Sequence, residues 1–406
     1  QSSEIIGCYK KAIEINPQNF TASRSLAWHL TSTGDHDEAK RIYLRVLKHS
    51  PKDPLVHIGL ATIYMNSKKF ADAKESYTAA LTSAGHQDNE RSIKQQAFEG
   101  LARTAVASGD SDAAERYFKQ AIQYAEGRGP LACSYHALGA LYSSLGQPKK
   151  SADVIKRGAK LESDQPEVQY HAAAASFLAY DFISAREFIE RAIRQSPRRL
   201  GRDYNLKGFL LLLEQKYDTA EVVFRQALSV NREDLAARVG MGHLAIVNKK
   251  YSEAERNFQA YLETNPRYDP SRGFRVETKM ALLGMGWLLS NQNRYPSALE
   301  FFDKILARDP SDLFSLLGKG NAYNALGQFE KAEASFKRVL ELDPENQYGL
   351  AEMGLVKLNK GDAAGAERLF KRAKAKGDEK YTCPYEGLGL VYLKQGKQKE
   401  AKEHFE

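Results

Sequence analysis

A 34-residue recurrence constrains this chain more than any other feature. Pro17 and Pro51 stand 34 residues apart, as do Pro310 and Pro344; Ala220 and Ala254 share the spacing, and so do Ala298, Ala332 and Ala366. A period of that length belongs to a pair of helices that cannot bury its apolar face alone and must stack on its own copies. The frame yields ten complete units, 20–53, 54–87, 95–128, 132–165, 166–199, 201–234, 235–268, 279–312, 313–346 and 347–380. A half unit (1–19) precedes them and a truncated unit (382–406) follows, so that residues 1–406 read as a single continuous stack. The frame breaks at 88–94, 129–131, 200, 269–278 and 381. The breaks at 88–94 and 269–278 read as surface inserts between helix pairs.

The residue classes return for physical reasons. Two helices that cross closely need a small residue at the crossing. Helix A of each unit supplies it at Ala27, Ala61, Ala102, Gly139, Ala173, Gly208, Gly242, Gly286, Gly320, Gly354 and Gly389. Helix B supplies it at positions such as Ala39, Ala114, Ala254 and Ala366, with a large residue four places on: Tyr43, Phe118, Phe258, Phe370. An i, i+4 pair shares one helix face, so small and large residues form one buried stripe. Glycines at 34, 109, 146, 327, 361 and 396 suit a left-handed stop to helix A. Prolines such as Pro51, Pro197, Pro266 and Pro344 end helix B. Units 132–165 and 166–199 depart most, with Ser151 for alanine and Ile155 and Ile189 for the aromatic. The expectation is an all-α fold.

On these residues the chain resembles the tetratricopeptide-repeat (TPR) family. The run Gly327-Gln328-Phe329-Glu330-Lys331-Ala332, continuing through Phe336 to Leu342-Asp343-Pro344, is close to the family pattern, and the likeness extends over the whole chain. The resemblance implies a right-handed superhelical solenoid of about eleven to twelve helix-turn-helix units that binds other proteins. It also extends to long bacterial members that organise envelope, pilus or polysaccharide-export machines. The ends show no polar capping helix, so the chain reads as a piece of a longer protein, with end-to-end self-association as a corollary.

Signs of chemistry are sparse. Gly240-Met241-Gly242-His243-Leu244-Ala245 fits the dinucleotide pattern G-x-G-x-x-A, but it falls inside a helix A where a strand and turn are required. The nine histidines lack metal-ligand spacing, and Cys133 with His136 is half a site at best. Ile5-Ile6-Gly7-Cys8 imitates a lipoprotein box without the apolar stretch that must precede one. No enzyme, cofactor or metal site is expected, and no run is apolar enough to cross a membrane. Three cysteines leave a free thiol and favour a reducing compartment such as the cytoplasm; a sequence beginning at Gln1 leaves a periplasmic setting open. The net charge of +8 is diffuse. Its densest points are Arg191, Arg194, Arg198, Arg199 and Arg202, then Arg267, Arg272, Arg275 and Lys279, then Lys371, Arg372, Lys374 and Lys376. A basic patch at Arg194, Arg198, Arg199 and Arg202 is the place where a nucleic acid or acidic polymer would bind, a reading secondary to a protein partner.

In this family the concave wall is lined by helix A, at the second, fifth, ninth, twelfth and thirteenth residues of each unit. Chaperone-binding members place Lys, Asn and Arg there to clamp a carboxylate. That set is missing: Asn321 is the lone ninth-place asparagine, with Leu317 at the fifth place and Glu352 in the next helix. From unit 166–199 onward these places are apolar. Tyr170, Phe177, Phe209, Leu213, Ile246, Leu283, Trp287, Leu317 and Tyr348 are the expected groove residues, with Val239, Phe314, Leu355 and Leu358 beside them. An apolar stripe beyond the core set points to a protein partner, a peptide or an amphipathic helix. The alternative is a docking or sensory arm of a larger signalling protein. Recurrent glycines at 59, 100, 240, 284, 318 and 387 suggest room for a bulky ligand or a tightly curved wall.

Overall fold

The computed structural model describes residues 2–85, 89–125, 131–196, 200–265, 275–375 and 381–405, and among these there is no strand. The first ten helices are α1 (Ser2–Ile15), α2 (Phe20–Thr33), α3 (His36–His49), α4 (Pro54–Asn66), α5 (Phe70–Ser83), α6 (Glu90–Ala107), α7 (Ser111–Ala125), α8 (Leu131–Ser144), α9 (Pro148–Leu161) and α10 (Pro166–Leu178). Next come α11 (Phe182–Gln195), α12 (Leu200–Leu213), α13 (Tyr217–Val230), α14 (Leu235–Val247), α15 (Tyr251–Thr264), α16 (Val276–Asn291) and α17 (Tyr295–Leu306). The last are α18 (Leu313–Ala325), α19 (Phe329–Leu342), α20 (Gln347–Asn359), α21 (Ala363–Lys374), α22 (Cys383–Lys394) and α23 (Gln398–Phe405). From α2 onward they pair as A and B, which makes the fold an all-α repeat solenoid.

The turns between A and B work by one device. Each holds a residue in the left-handed region: Gly34, Gly109, Gly146, Gly327, Gly361 and Gly396 in six pairs, and Lys68, Tyr180, Gln215, Lys249 and Asn293 in five. Several loops from B to the next A are closed by side-chain caps. Asp53, Asp234 and Asp312 accept hydrogen bonds from first-turn backbone N–H groups of α4, α14 and α18, and Asn346 does the same for α20.

Both expected inserts are shorter than the sequence frame implied. Residues 90–94 belong to α6, where Ile93 is buried, so the first turn of that helix extends the core instead of looping away from it. Residues 276–278 belong to α16, with Val276 and Thr278 buried. Residues 269–274 of the second insert, with Pro270 and Gly273, lie outside the described residues, as do Arg267, Arg272, Arg198, Arg199 and Lys376.

The chain divides into two compact units, Gln1–Ser143 with Lys149–Ala175, and Ser144–Pro148 with Ser176–Glu406. In the first, Tyr43 and Val46 of α3 pack against Leu26 and Leu30 of α2 and Leu60 and Ile63 of α4. Phe118 of α7 meets Leu138, Leu141 and Tyr142 of α8. In the second, Phe336 of α19 lies among Leu317, Met353 and Val356, and Phe370 of α21 among Leu350, Leu388 and Val391.

The recurrent glycines have another cause than ligand space. A Cβ on Gly242 would stand 2.7 Å from the Phe258 ring of its own pair, and a Cβ on Gly284 would stand 2.4 Å from the other side of the same ring. Phe302 is held in the same way between Gly286 and Gly318, and Phe370 between Gly354 and Gly387. Gly59, Gly100 and Gly240 likewise face Tyr43, Tyr77 and Phe224 of the preceding helix B. Each glycine gives up about 1 kcal/mol of helix propensity so that a core aromatic can lie flat between two A helices.

Candidate functional site

Six consecutive A helices contribute second-unit residues to the wall of a cavity of about 460 Å³. Phe177 of α10 begins its wall. Leu212 and Leu213 of α12, Ile246 and Val247 of α14, Leu283 and Trp287 of α16, and Phe314 and Leu317 of α18 continue it, and Tyr348 and Glu352 of α20 end it. The lining is mainly apolar. Val247 is 46% exposed and Tyr348 39%, so the wall faces solvent as well as interior.

Seven of the nine groove residues expected from sequence therefore meet here: Phe177, Leu213, Ile246, Leu283, Trp287, Leu317 and Tyr348. Tyr170 and Phe209 do not. Tyr170 is buried in the first unit, its ring edge-on to His171. Phe209 is wholly buried, with its ring 5.4 Å from that of Phe224; the absent side chain of Gly208 lets Phe224 lie close enough to draw it inward. Val239 is likewise core, and the ninth-place residue His243 lines the cavity in its stead. Trp287 has both roles. It lines the cavity, and its ring stands at 69° to that of Phe302, 5.6 Å away.

One side of the cavity is closed by a contact that sequence reasoning missed. Tyr180, in the α10–α11 turn, has φ 65, a costly conformation for an aromatic residue. Its hydroxyl donates to Asp312 Oδ2 at 2.6 Å and accepts from Lys279 Nζ and from the Leu313 backbone N–H, both at 3.0 Å. Lys279 and Asp312 form an ion pair buried on both sides. Burial alone would raise the Asp312 carboxyl. Lys279, Tyr180 and Ser315 together outweigh burial and hold it below the ordinary range. Lys279 is therefore no part of a surface basic cluster. A second contact runs parallel to this one in the same unit: a Cβ on Gly146 would stand 2.8 Å from the Arg308 carbonyl oxygen, so only glycine fits that turn.

Two titratable groups line the cavity without a charged partner. His243 is half-buried against Phe258, and burial pushes it down to about 4, so it is neutral at physiological pH. Its Nε2–H donates to the Met280 carbonyl at 2.8 Å, which fixes the tautomer because a carbonyl can only accept. Burial pushes Glu352 the other way, up to about 7; Tyr381 and Asn321 beside it offset part of that rise. Glu352 stands 34 residues after Gly318, in a place where glycine recurs, and that break in the pattern was the signal available in the sequence.

The arginine reading weakens at its described members. Arg194 lies 3.9 Å from Glu190 and Arg202 4.0 Å from Asp203, so neither presents unopposed charge. Cys8, Cys133 and Cys383 are free thiols. Among the described residues no cluster of His, Cys, Asp and Glu could hold a metal, and no helix is long and apolar enough to cross a membrane.

Models described as tetratricopeptide repeat match residues 30–90 and 211–274, 96–127, 280–312 and 314–346. A curated relative, the RNA polymerase-associated protein CTR9 of Caenorhabditis elegans, is 31% identical over 137 residues, covering 33% of this chain and 11% of that protein. The crystal structure of the APC/C hetero-tetramer Cut9-Hcn1 superposes with a TM-score of 0.67 at 16% identity, over 98% of this chain and 82% of that one, a likeness of fold. A tetratricopeptide repeat protein from Parabacteroides merdae aligns with a TM-score of 0.37 at 18% identity, over 73% of this chain and 98% of that one.

Proposed function

The chain belongs to the tetratricopeptide-repeat family, and from that premise we propose that it is a non-enzymatic scaffold holding an apolar peptide or amphipathic helix of a partner protein in the groove between α10 and α20. The observation that supports this is the run of apolar side chains contributed in turn by α12, α14, α16 and α18 to one half-exposed wall. Each of those helices already buries a separate set against its neighbours: Leu206 and Leu210, Val239 and Leu244, Met285 and Leu288, Leu316 and Ala322. Leu213, Ile246, Val247, Trp287 and Phe314 are apolar side chains left partly exposed beyond that set, and such a surplus is what helix-in-groove recognition uses. The envelope, pilus or export setting is left aside, because the curated relative reported above is eukaryotic.

The test is affinity capture with the whole chain, comparing wild type with Val247→Asp and Leu213→Asp. Both substitutions place a charge on the wall and leave the aromatic stack untouched. A partner held by wild type and released by both variants supports the reading; one held equally by all three removes the groove as the site.

A further inference from the structure

Resting on that reading, we infer that the bound segment carries a lysine or arginine beside its apolar anchors and seats that cation on Glu352, at the α20 end of the groove. The lining holds two residues of formal charge, Lys279 and Glu352. Lys279 is neutralised by Asp312. Glu352 is not neutralised: the side chains acting on it are Tyr381 and Asn321, and among the described residues no lysine or arginine pairs with it. Among the described residues the groove therefore keeps one acidic point in a mainly apolar wall.

Its surroundings call for a donor. Asn321 Oδ1, which belongs to the same lining, is buried with no hydrogen-bond donor. An ammonium carries three N–H donors and a guanidinium five, each with positive charge, enough to serve a carboxylate and a neighbouring amide oxygen together. An apolar or acidic side chain seated there would leave this acceptor stranded, which is the more costly arrangement. Packing gives no reason for the carboxyl. The equivalent places, Gly284 and Gly318, carry no side chain because an aromatic ring lies against them. At 352 the chain has a partly buried acid where glycine would serve the stack, and a ligand cation accounts for it. Burial that lifts Glu352 to about 7 leaves it half ionised near neutral pH, ready to be drawn to full charge by a cation and not by an apolar group.

The experiment is selection of binders from a random peptide library displayed on phage, run in parallel on the full wild-type chain, Glu352→Gln and Leu213→Asp. The expected result is enrichment of Lys or Arg among apolar residues on wild type, lost on Glu352→Gln. For a selected peptide, replacing that Lys by norleucine should weaken binding to wild type about thirtyfold and leave binding to Glu352→Gln nearly unchanged. The norleucine arm alters the peptide alone, so it stands even if the Gln variant folds poorly. Binders that require Leu213 but show no basic enrichment, with equal affinity for the Lys and norleucine forms, overturn the cation while leaving the groove intact. Binders indifferent to Leu213→Asp overturn the groove reading itself.

Discussion

At the scale of single residues, the second unit is governed by what stands beside each buried ring or charge. Phe258 is flanked by Gly242 and Gly284, so its ring has nowhere to retreat. Gly284→Ala gains helix propensity and still should destabilise by about 1–3 kcal/mol through overpacking, measured as loss of amide protection in α15 and α16. His243 and Glu352 set opposite pH dependences. The unfolded chain binds the His243 proton more readily than the fold does, because the folded value is about 4 against an ordinary 6.5. Stability should therefore fall by roughly 3 kcal/mol as pH drops through that window, and His243→Asn should flatten the fall. For Glu352 the folded value of about 7 lies above the ordinary 4.5, so the fold binds the proton more tightly. Its contribution is fully present below about pH 4.5 and should decline as pH rises to 7; Glu352→Gln should gain on wild type over that interval. Hydrogen exchange suits both tests, since a repeat array opens locally instead of all at once.

Elements are joined by turns of two energetic kinds. Lys249 holds a left-handed conformation at φ 57 in a turn where other pairs use glycine, and it is exposed. Lys249→Gly relieves about 1 kcal/mol of backbone strain, less the entropy that glycine loses on folding, so its effect should lie near zero or be mildly stabilising. Tyr180 has nearly the same φ and should respond in the reverse sense. Tyr180→Gly removes the hydroxyl that joins Lys279, Asp312 and Leu313, and the local loss should exceed any relief of strain. Lys279→Met should be worse, about 3–5 kcal/mol, because it leaves the Asp312 carboxylate buried without its cation. If Tyr180→Gly and Lys249→Gly shift thermal unfolding alike, the turn at 180 has no special role.

For the whole molecule, the net charge of +8 is offset at several of its densest described points: Arg194, Arg202, Lys371 and Arg372 each stand beside an acid, and Lys279 is buried with Asp312. Partner binding should accordingly weaken only slightly as salt is raised, without the steep dependence that several phosphate contacts impose. Trp287→Ala should lower both binding and stability, because the ring is shared between the groove and Phe302. Binding should fall further than the folded fraction does, and equal losses would place Trp287 in the stack alone.

The all-α repeat, the helix pairs, the left-handed glycine turns and the identity of most wall residues were legible in the sequence. Each depends on neighbours within a turn or one period away, and a fixed period repeats those neighbours. The exceptions show where that logic ends. Phe209 matches the groove pattern but follows Phe224 into the core, while Ile93 and Val276 extend helices through places where the period breaks. Tyr180 and Asp312 are 132 residues apart, and Gly146 meets Arg308 across a comparable distance. No periodic signal couples such positions, because their approach depends on how small rotations between successive helix pairs accumulate. The sequence by itself determined what each pair is made of; the tertiary structure decided which distant turns meet, which cation is buried with Asp312, and which carboxylate is left without a cation in the groove.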